Sequence, residues 1–203
     1  MSKTKPCKCA GVPPCPICKG TGTVRAGMSA KYPGTADFSE DGVYRWKLTR
    51  RIRPEMDDDR PLVDIGLNPS TASGGDDDNT IRKGCEYALR WGCTSFHKLN
   101  AYGYRSTDPK AMFRAKLNGV DIVGPENVAT ILMTLGRARQ STGGCIILLS
   151  WGTNIEPVWQ TWLAGKIGPG VVCVRANADG TPMHYLYAKN DVKLVPWVCP
   201  VLA

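Results

Sequence analysis

Apolar runs and helix-spaced apolar residues alternate along most of the chain, and this pattern predicts an α/β fold. Strands are expected at residues 42–50, 61–67, 95–100, 145–149 and 171–174. Helices are expected at residues 80–91, 126–139 and 155–164, and residues 101–124 are expected to form a loop rich in turns. Alternating strands and helices favour a three-layer α/β/α domain with a parallel four-stranded core sheet, in which helices cover both faces.

The first strand, residues 42–50, alternates apolar and basic residues, as a half-exposed strand does. Its outward face is predicted to be strongly positive, and two interpretations stay open. The charges could follow a phosphate backbone, or they could protect an edge strand from pairing with another chain. The basic residues of this strand and of the positions just after it are Arg45, Lys47, Arg50, Arg51 and Arg53.

Four of the nine cysteines crowd into residues 7–18. The Cys-x-x-Cys unit with its following glycines resembles the CxxCxGxG zinc-binding repeat of DnaJ-type chaperones, and a Cys-x-Cys pair precedes it. Residues 1–22 are therefore predicted to be a zinc knuckle, with a disordered thiol-bearing tail as the alternative. The predicted ligands of a structural Zn²⁺ are Cys7, Cys9, Cys15 and Cys18. The remaining cysteines, among them Cys145 and Cys173, lie among apolar neighbours and are expected to be inert packing residues. No organic cofactor is predicted.

Residues 23–37 are rich in small residues and proline, so a linker is expected there, and residues 38–203 are assigned to the α/β domain. The net charge is +8, and 12 of the 26 basic residues fall within residues 1–60. This excess favours a polyanionic partner such as nucleic acid. Neither a signal peptide nor a membrane span is recognisable, and the expected location is the cytoplasm, with no membrane partner.

Polar residues gather where the predicted strands end. Gly66, Pro69 and Ser70 form a tight loop around Asn68, directly after a buried strand. Because ligands of open α/β sheets bind outside the carboxyl ends of the strands, a site is expected at this edge. The other residues that the topology brings to the same edge are Asn100, Trp151 and His184. Trp151 is either a pocket wall or a cover for the core, and His184 could equally be a loop histidine with a structural hydrogen bond.

Three consecutive acids, Asp76 to Asp78, precede the predicted first helix. Carboxylates can bind magnesium, but three neighbours in sequence cannot all face one ion. Their position favours capping of the helix N-terminus, with Asp78 kept as a weaker candidate for ligand binding. In the loop after the second core strand, Arg105 is assigned equally to binding or to turn formation.

Six motifs identify a family. Over roughly residues 38–197 the chain resembles a group of bacterial and phage proteins known only as a domain of unknown function. The motifs are Leu67 to Ala72 (LNPSTA), Asp77 to Arg82 (ending in TIR), Trp91-Gly92 ahead of Asn100, Arg105 to Pro109, Gly124 to Asn127 (GPEN) and Gly180 to Tyr187 (GxPxHxLY). This resemblance implies no activity by itself.

A more distant similarity, to the uracil-DNA glycosylase superfamily, does imply chemistry. Gly66-Leu67-Asn68-Pro69 resembles the GxNP-type loop of its mismatch-specific members, and His184 lies where a late histidine loop is expected. By this resemblance Asn68 would orient a water toward the anomeric carbon, and His184 would stabilise charge on the departing base. Asn100 could hydrogen-bond a base edge.

The same resemblance requires groups that hold the nucleic acid. Tyr102 or Tyr104 could stack on the base, and Arg82, Lys83 and Arg105 could contact the phosphates. The expected function is therefore that of a nucleic-acid-directed or nucleotide-directed enzyme, most concretely an N-glycosidic hydrolase that removes a base from DNA. The alternatives are a non-catalytic zinc-containing nucleic-acid-binding module, a base-modifying enzyme and an enzyme of free nucleotides.

Overall fold

The computed structural model describes residues 4–6, 23–25, 28–70 and 72–200. Within these residues the chain forms a mixed α/β structure with a seven-stranded sheet, two further strand pairs and four α-helices. The α/β class predicted from the hydrophobic pattern is thereby confirmed. The cysteines of the predicted zinc knuckle lie outside the described residues.

The strands are short apart from those at the centre of the sheet. They are β1 (Thr4–Pro6), β2 (Thr23–Arg25), β3 (Met28–Ser29), β4 (Ala36–Phe38), β5 (Arg45–Arg51), β6 (Pro61–Gly66), β7 (Asp76–Asp77), β8 (Ser95–Asn100), β9 (Ile146–Leu149), β10 (Val172–Cys173) and β11 (Val195–Pro196). The helices are α1 (Asn79–Arg90), α2 (Pro109–Leu117), α3 (Asn127–Arg139) and α4 (Pro157–Ile167), with a 3₁₀ turn at Tyr185–Tyr187. None of the described helices is long and apolar enough to cross a lipid bilayer.

Strand β6 lies at the centre of the seven-stranded sheet, whose order is β11-β10-β9-β6-β8-β5-β4. It pairs in parallel with β8 and with β9, and β10 pairs in parallel with β9. Strands β5, β4 and β11 pair antiparallel with their neighbours. Every residue of β6 is buried, which explains its nearly continuous apolar sequence. The parallel pairs bring the carboxyl ends of β6, β8 and β9 to one edge of the sheet.

Apolar cores lie on both faces of the sheet. Val63 and Ile65 of β6 face the core that includes residues of α3 and α4. Leu62 faces the opposite core, to which α1 contributes Ile81. Since side chains alternate along a strand, Asp64 lies on the α1 face together with Leu62. A charged residue is thus placed on a buried face of the central strand.

Strand β5 corrects the prediction of a positive outer surface. It lies inside the sheet, between β8 and β4, and not at an edge. Arg45 and Arg50 are only 2% and 0% exposed. Arg50 donates to Asp77 through Nε (3.0 Å) and Nη2 (2.7 Å), and these contacts hold its charge in the interior. Both interpretations of this strand, a phosphate-binding surface and a protected edge, are wrong for Arg45 and Arg50.

A helix, α2, occupies part of the segment predicted to be a loop. Asp108 caps it, since its Oδ1 accepts a hydrogen bond from Lys110 N at 2.9 Å, and Pro109 is its first residue. Met112 is its one fully buried residue, so the helix has almost no apolar periodicity in its sequence. The predicted helices over 80–91, 126–139 and 155–164 correspond to α1, α3 and α4 and are confirmed.

The cysteines of the domain are free thiols, four of them buried and Cys145 half-buried. Burial raises the pKa of the Cys85 thiol to about 12 and that of Cys93 to about 11. Burial likewise raises the pKa of Cys145 and Cys173, which keeps both thiols protonated and unreactive at neutral pH.

Candidate functional site

A cavity of about 670 Å³ opens at the carboxyl ends of β6, β8 and β9. Its walls come from the loops that follow these strands, from the first turn of α1 and from the segment that contains the 3₁₀ turn. Of the site residues predicted from the sequence, those that line the cavity are Asn68, Ser70, Asp78, Asn100, Trp151 and His184. The structure therefore brings together residues that are up to 116 positions apart in sequence, from Asn68 to His184.

Asn68 is held by its amide nitrogen. Nδ2 donates to the carbonyl oxygens of Ser106 at 2.8 Å and Pro69 at 3.2 Å. Two acceptors at this position require the nitrogen there, so the side-chain orientation is determined by its hydrogen bonds. No described residue donates a hydrogen bond to Oδ1, which stays available as an acceptor. The loop after β6 thus presents a fixed carbonyl oxygen at the cavity wall.

Asn100 has a different environment at the end of β8. Its side chain is 1% exposed, and neither Nδ2 nor Oδ1 has a hydrogen-bond partner among the described residues. An unsatisfied buried amide costs about 1–3 kcal/mol for each group. The cavity beside it is where a partner for these atoms can enter. Asn100 therefore offers a donor and an acceptor, side by side, to a ligand.

His184 is a hydrogen-bond acceptor at Nδ1, which receives Leu186 N at 3.2 Å. Burial, and after it the nearby charge of Lys98, lower the pKa of His184 to about 4 against the opposing effect of Asp64 and Asp78. The imidazole is therefore neutral at pH 7, and its single proton is on Nε2. His184 can donate one hydrogen bond to a ligand without carrying a charge.

Acidification is expected to destabilise the fold through its two histidines. Burial lowers the pKa of His97 as well as that of His184 to about 4, from an ordinary value of 6.5. The unfolded chain binds protons at 6.5, so stability is complete above that pH and falls as the pH drops toward 4, by up to about 1.4 kcal/mol per pH unit for each histidine. Urea unfolding at pH 7, 6 and 5 measures the slope. His97→Gln and His184→Gln should each flatten it, and an unchanged slope in both variants would contradict the assignment.

The floor of the cavity contains charged residues that sequence analysis missed. Lys98 Nζ lies 2.5 Å from Asp64 Oδ2, and Ser150 Oγ donates to Asp64 Oδ1 at 2.5 Å. Lys98 lines the cavity, whereas Asp64 lies behind it and is 0% exposed. A signal for this pair was present in the sequence, because each charge interrupts an apolar strand, and β6 and β8 pair in a register that sets Asp64 opposite Lys98.

A family model described as "Protein of unknown function (DUF1643)" matches residues 45–186, which is most of the chain. The chain belongs to this family. The match spans the structure from β5 to the 3₁₀ turn, so it includes every cavity residue described above. A search of curated proteins and a search of solved structures each found no match.

Charges around the cavity of this DUF1643 domain balance. Arg45 donates to Ala72 O at 3.1 Å, and its Nε has no partner among the described residues. Burial lowers the pKa of Arg45 to about 10, against the opposing effect of Asp78, so the guanidinium remains charged at neutral pH. Arg45 and Lys98 carry the positive charge of the described lining, and Asp78, together with Asp64 behind Lys98, carries the negative charge. The cavity therefore suits a neutral ligand better than a phosphate.

Asp78 also has the structural role expected of it. Its Oδ1 accepts a hydrogen bond from Ile81 N at 2.8 Å, so it caps α1, and the prediction of capping is confirmed. The magnesium alternative finds no support in the neighbouring acid, because Asp77 is fully buried against Arg50. Among the described residues, no cluster of three or more His, Cys, Asp or Glu side chains could hold a metal ion.

Several predicted binding residues of the DUF1643 domain lie outside the cavity. Tyr102 is buried against Glu156, and Arg105 is buried and donates to Gly42 O at 2.6 Å. Arg82 is exposed on α1, and Lys83 donates to Leu186 O at 3.0 Å. These contacts join the loops around the site to one another and join α1 to the 3₁₀ turn. Gly66 and Pro69 shape the cavity from behind: Pro69 O accepts Ser106 N at 2.8 Å, and a side chain at Gly66 would overlap Lys98.

Proposed function

We propose that the cavity binds a nucleobase and that the protein hydrolyses an N-glycosidic bond, releasing that base from DNA or from a nucleoside. The observation that carries the proposal is the buried, unpartnered amide of Asn100 beside a cavity lined with polar groups. A primary amide presents an acceptor and a donor with the spacing found on base edges, so one base can satisfy both atoms.

The balance of charged side chains around the cavity favours a base over a phosphate as the buried part of the ligand. The two positive and two negative side chains in and behind the lining leave no excess of positive charge. A phosphate in such a cavity would lose its hydration and would face the carboxylates of Asp78 and Asp64 as well as the two cations, at a cost in free energy. The proposed ligand therefore places its base inside and its sugar and any phosphate toward the solvent.

The chemistry needs a positioned water and a donor near the leaving base. Asn68 Oδ1 can accept a hydrogen bond from a water and hold it toward the anomeric carbon. As the C–N bond breaks, the base leaves with the bonding electron pair, the water oxygen bonds to the carbon, and a water proton is released. His184 Nε2–H can donate to the base as negative charge develops there. The segment of residues 66–69 resembles the GxNP-type loop of uracil-DNA glycosylases. This resemblance supports the same roles for Asn68 and His184.

The competing binding-module hypothesis depended on the N-terminal cysteines and on the basic strand. Arg45 and Arg50 of that strand are buried and engaged within the protein, so they do not form a surface for phosphates. The zinc knuckle, with Zn²⁺ held by the four N-terminal cysteines, remains a proposal about residues outside those described. We therefore favour the enzyme over the binding module.

The proposal predicts base release from a suitable substrate. Full-length protein is incubated with oligonucleotides that contain uracil, 5-hydroxymethyluracil, hypoxanthine or other altered bases, in single and double strands, and alkali then cleaves any abasic site. A parallel set of free nucleosides is analysed for released base by chromatography. Asn118→Ala changes an exposed asparagine outside the cavity and serves as the matched control for Asn68→Ala.

Cleavage by the wild type and by the control, but not by Asn68→Ala, would support the proposal and name the base. Release from nucleosides alone would assign a free-nucleoside hydrolase. Absence of release from every substrate, together with a gel shift of the same oligonucleotides, would overturn the hydrolase and favour the binding module.

A further inference from the structure

We propose that Lys98 is a catalytic residue that stabilises negative charge on the departing base, and that Asp64 and Ser150 position it. The inference rests on the proposed function and adds to it a charged group where the resemblance to glycosylases supplied only a histidine. Lys98 lines the cavity, at the end of β8 that also carries Asn100.

The backbone of strand β6 leaves space for the ammonium group of Lys98. Gly66 lies opposite Asn100 in the register of β6 and β8. A Cβ atom at Gly66 would overlap Lys98 Nζ and would lie 3.3 Å from Asn100 Oδ1. The glycine therefore leaves room for the ammonium, which lies close to the amide proposed to bind the base. A ligand held by Asn100 is within reach of Lys98.

The ion pair is oriented with its positive end toward the cavity. Lys98 is 3% exposed and lines the cavity, whereas Asp64 is 0% exposed and does not. Ser150 donates to the far oxygen of Asp64 at 2.5 Å, which fixes the carboxylate from behind. Lys98 Nζ also lies 5.4 Å from the centroid of the Tyr185 ring, a cation–π contact. An ammonium has three N–H donors, and Asp64 takes one of them, so donors remain for a ligand.

The charge of Lys98 also acts on the imidazole of His184. It contributes to lowering the pKa of that histidine, after burial, while Asp64 and Asp78 oppose it; these are the charged groups that act on the imidazole. The two donors then divide their roles. His184 supplies a neutral hydrogen bond, and Lys98 supplies the positive charge that a base needs when it leaves with the bonding electron pair. Its fixed position avoids reorganisation during the reaction.

Stability alone does not account for this pair. Burying an ion pair is often no better for stability than apolar residues of similar size, because both charges lose their hydration. Here the pair interrupts two apolar strands and adjoins a cavity, which is where a fixed charge serves a ligand. The geometry points to charge stabilisation in the reaction.

Binding of free bases tests the inference without requiring turnover. Titration calorimetry of full-length protein compares uracil, which is neutral near pH 7.5, with 5-nitrouracil, whose electron-withdrawing group makes the ring anionic. Because Lys98→Met would leave Asp64 buried and unpaired and can fail to fold, the main variant is D64N/K98Q, which removes both charges and keeps a hydrogen-bonded pair. Thermal unfolding verifies its fold, and Asn118→Ala, at an exposed position outside the cavity, serves as a variant that retains both charges.

The wild type and Asn118→Ala are expected to bind 5-nitrouracil at least about tenfold more tightly than D64N/K98Q does, with a change of less than about threefold for uracil. Equal loss for both bases would overturn the role of Lys98 and leave the proposed function standing. A wild type that binds neither base would overturn the base site itself. Where base release is measurable, kcat of the variant should fall more for uracil than for 5-fluorouracil, the better leaving group; an equal fall would indicate a structural role only.

Discussion

Replacing Asn68 with alanine is expected to lower kcat at least about 100-fold, the largest effect on activity that the site predicts. Loss of one fixed polar group that acts only in the transition state typically costs a factor of about 10²–10³. Asn68 is fixed by Ser106 O and Pro69 O, and its Oδ1 is directed by those bonds. Steady-state kinetics on the substrate found in the base-release assay gives kcat and KM separately.

Separate measurement of kcat and KM makes this test specific to the proposed role of Asn68. Asn68 is proposed to hold the water, and Asn100 the base, so the alanine variant should change KM by less than about threefold. Thermal unfolding of the variant, compared with Asn118→Ala, verifies that the loop keeps its structure. A variant as active as the wild type would show that another group positions the water.

The location of the cavity was predictable because it follows from topology. Three strand ends met at one edge, and Asn68, Asn100 and His184 line the same cavity there. The rule that ligands bind at the carboxyl ends of parallel strands needs only the order of elements, which the hydrophobic pattern contains. Which polar groups are already engaged, as Asn68 Nδ2 is, and which are unpartnered, as Asn100 is, depends on packing and could not be predicted.

The basic strand shows why a charge that the alternation places inside was nevertheless assigned to the surface. Arg50 shares a face of β5 with Leu48, which is in the α1-side core, so the alternating pattern places it inside. Its burial depends on Asp77, which lies 27 residues further along the chain. Local alternation contains no information about such a distant partner. The charge was therefore assigned to the surface, where single arginines are usually found.

Helix α2 and the Asp64–Lys98 pair were also missed, although each leaves a local signal in the sequence. Asp108 and Pro109 are a standard start of a helix, but α2 buries little and lacks apolar spacing. Asp64 and Lys98 are charges within apolar strands, a combination that is costly unless the two are paired. Pairing them required the register of β6 and β8, which fixes the two residues opposite each other.

Replacing Asp77 with alanine is expected to lower the free energy of unfolding by about 3–5 kcal/mol, the largest change in stability that the structure predicts. Arg50 would be left charged and 0% exposed, without the carboxylate that accepts its Nε and Nη2. The bond from Lys31 N to Asp77 Oδ2 at 3.3 Å would also be lost, and with it a contact between residue 31 and β7. Urea unfolding monitored by circular dichroism measures the change.

Asp37→Ala provides the matched control, because it breaks another ion pair made by strand β5, in a solvent-exposed setting. Lys47 Nζ lies 3.5 Å from Asp37 Oδ2, and the Asp37 side chain is 50% exposed, so the expected loss is below about 1 kcal/mol. The double variant Arg50→Met with Asp77→Leu should recover much of the stability that Asp77→Ala loses, since no unpaired charge then remains buried. If Asp77→Ala lowered the free energy of unfolding no more than Asp37→Ala does, the Arg50 guanidinium would have to reach solvent in that variant. The burial of Arg50 in the interior strand β5 would then not depend on Asp77.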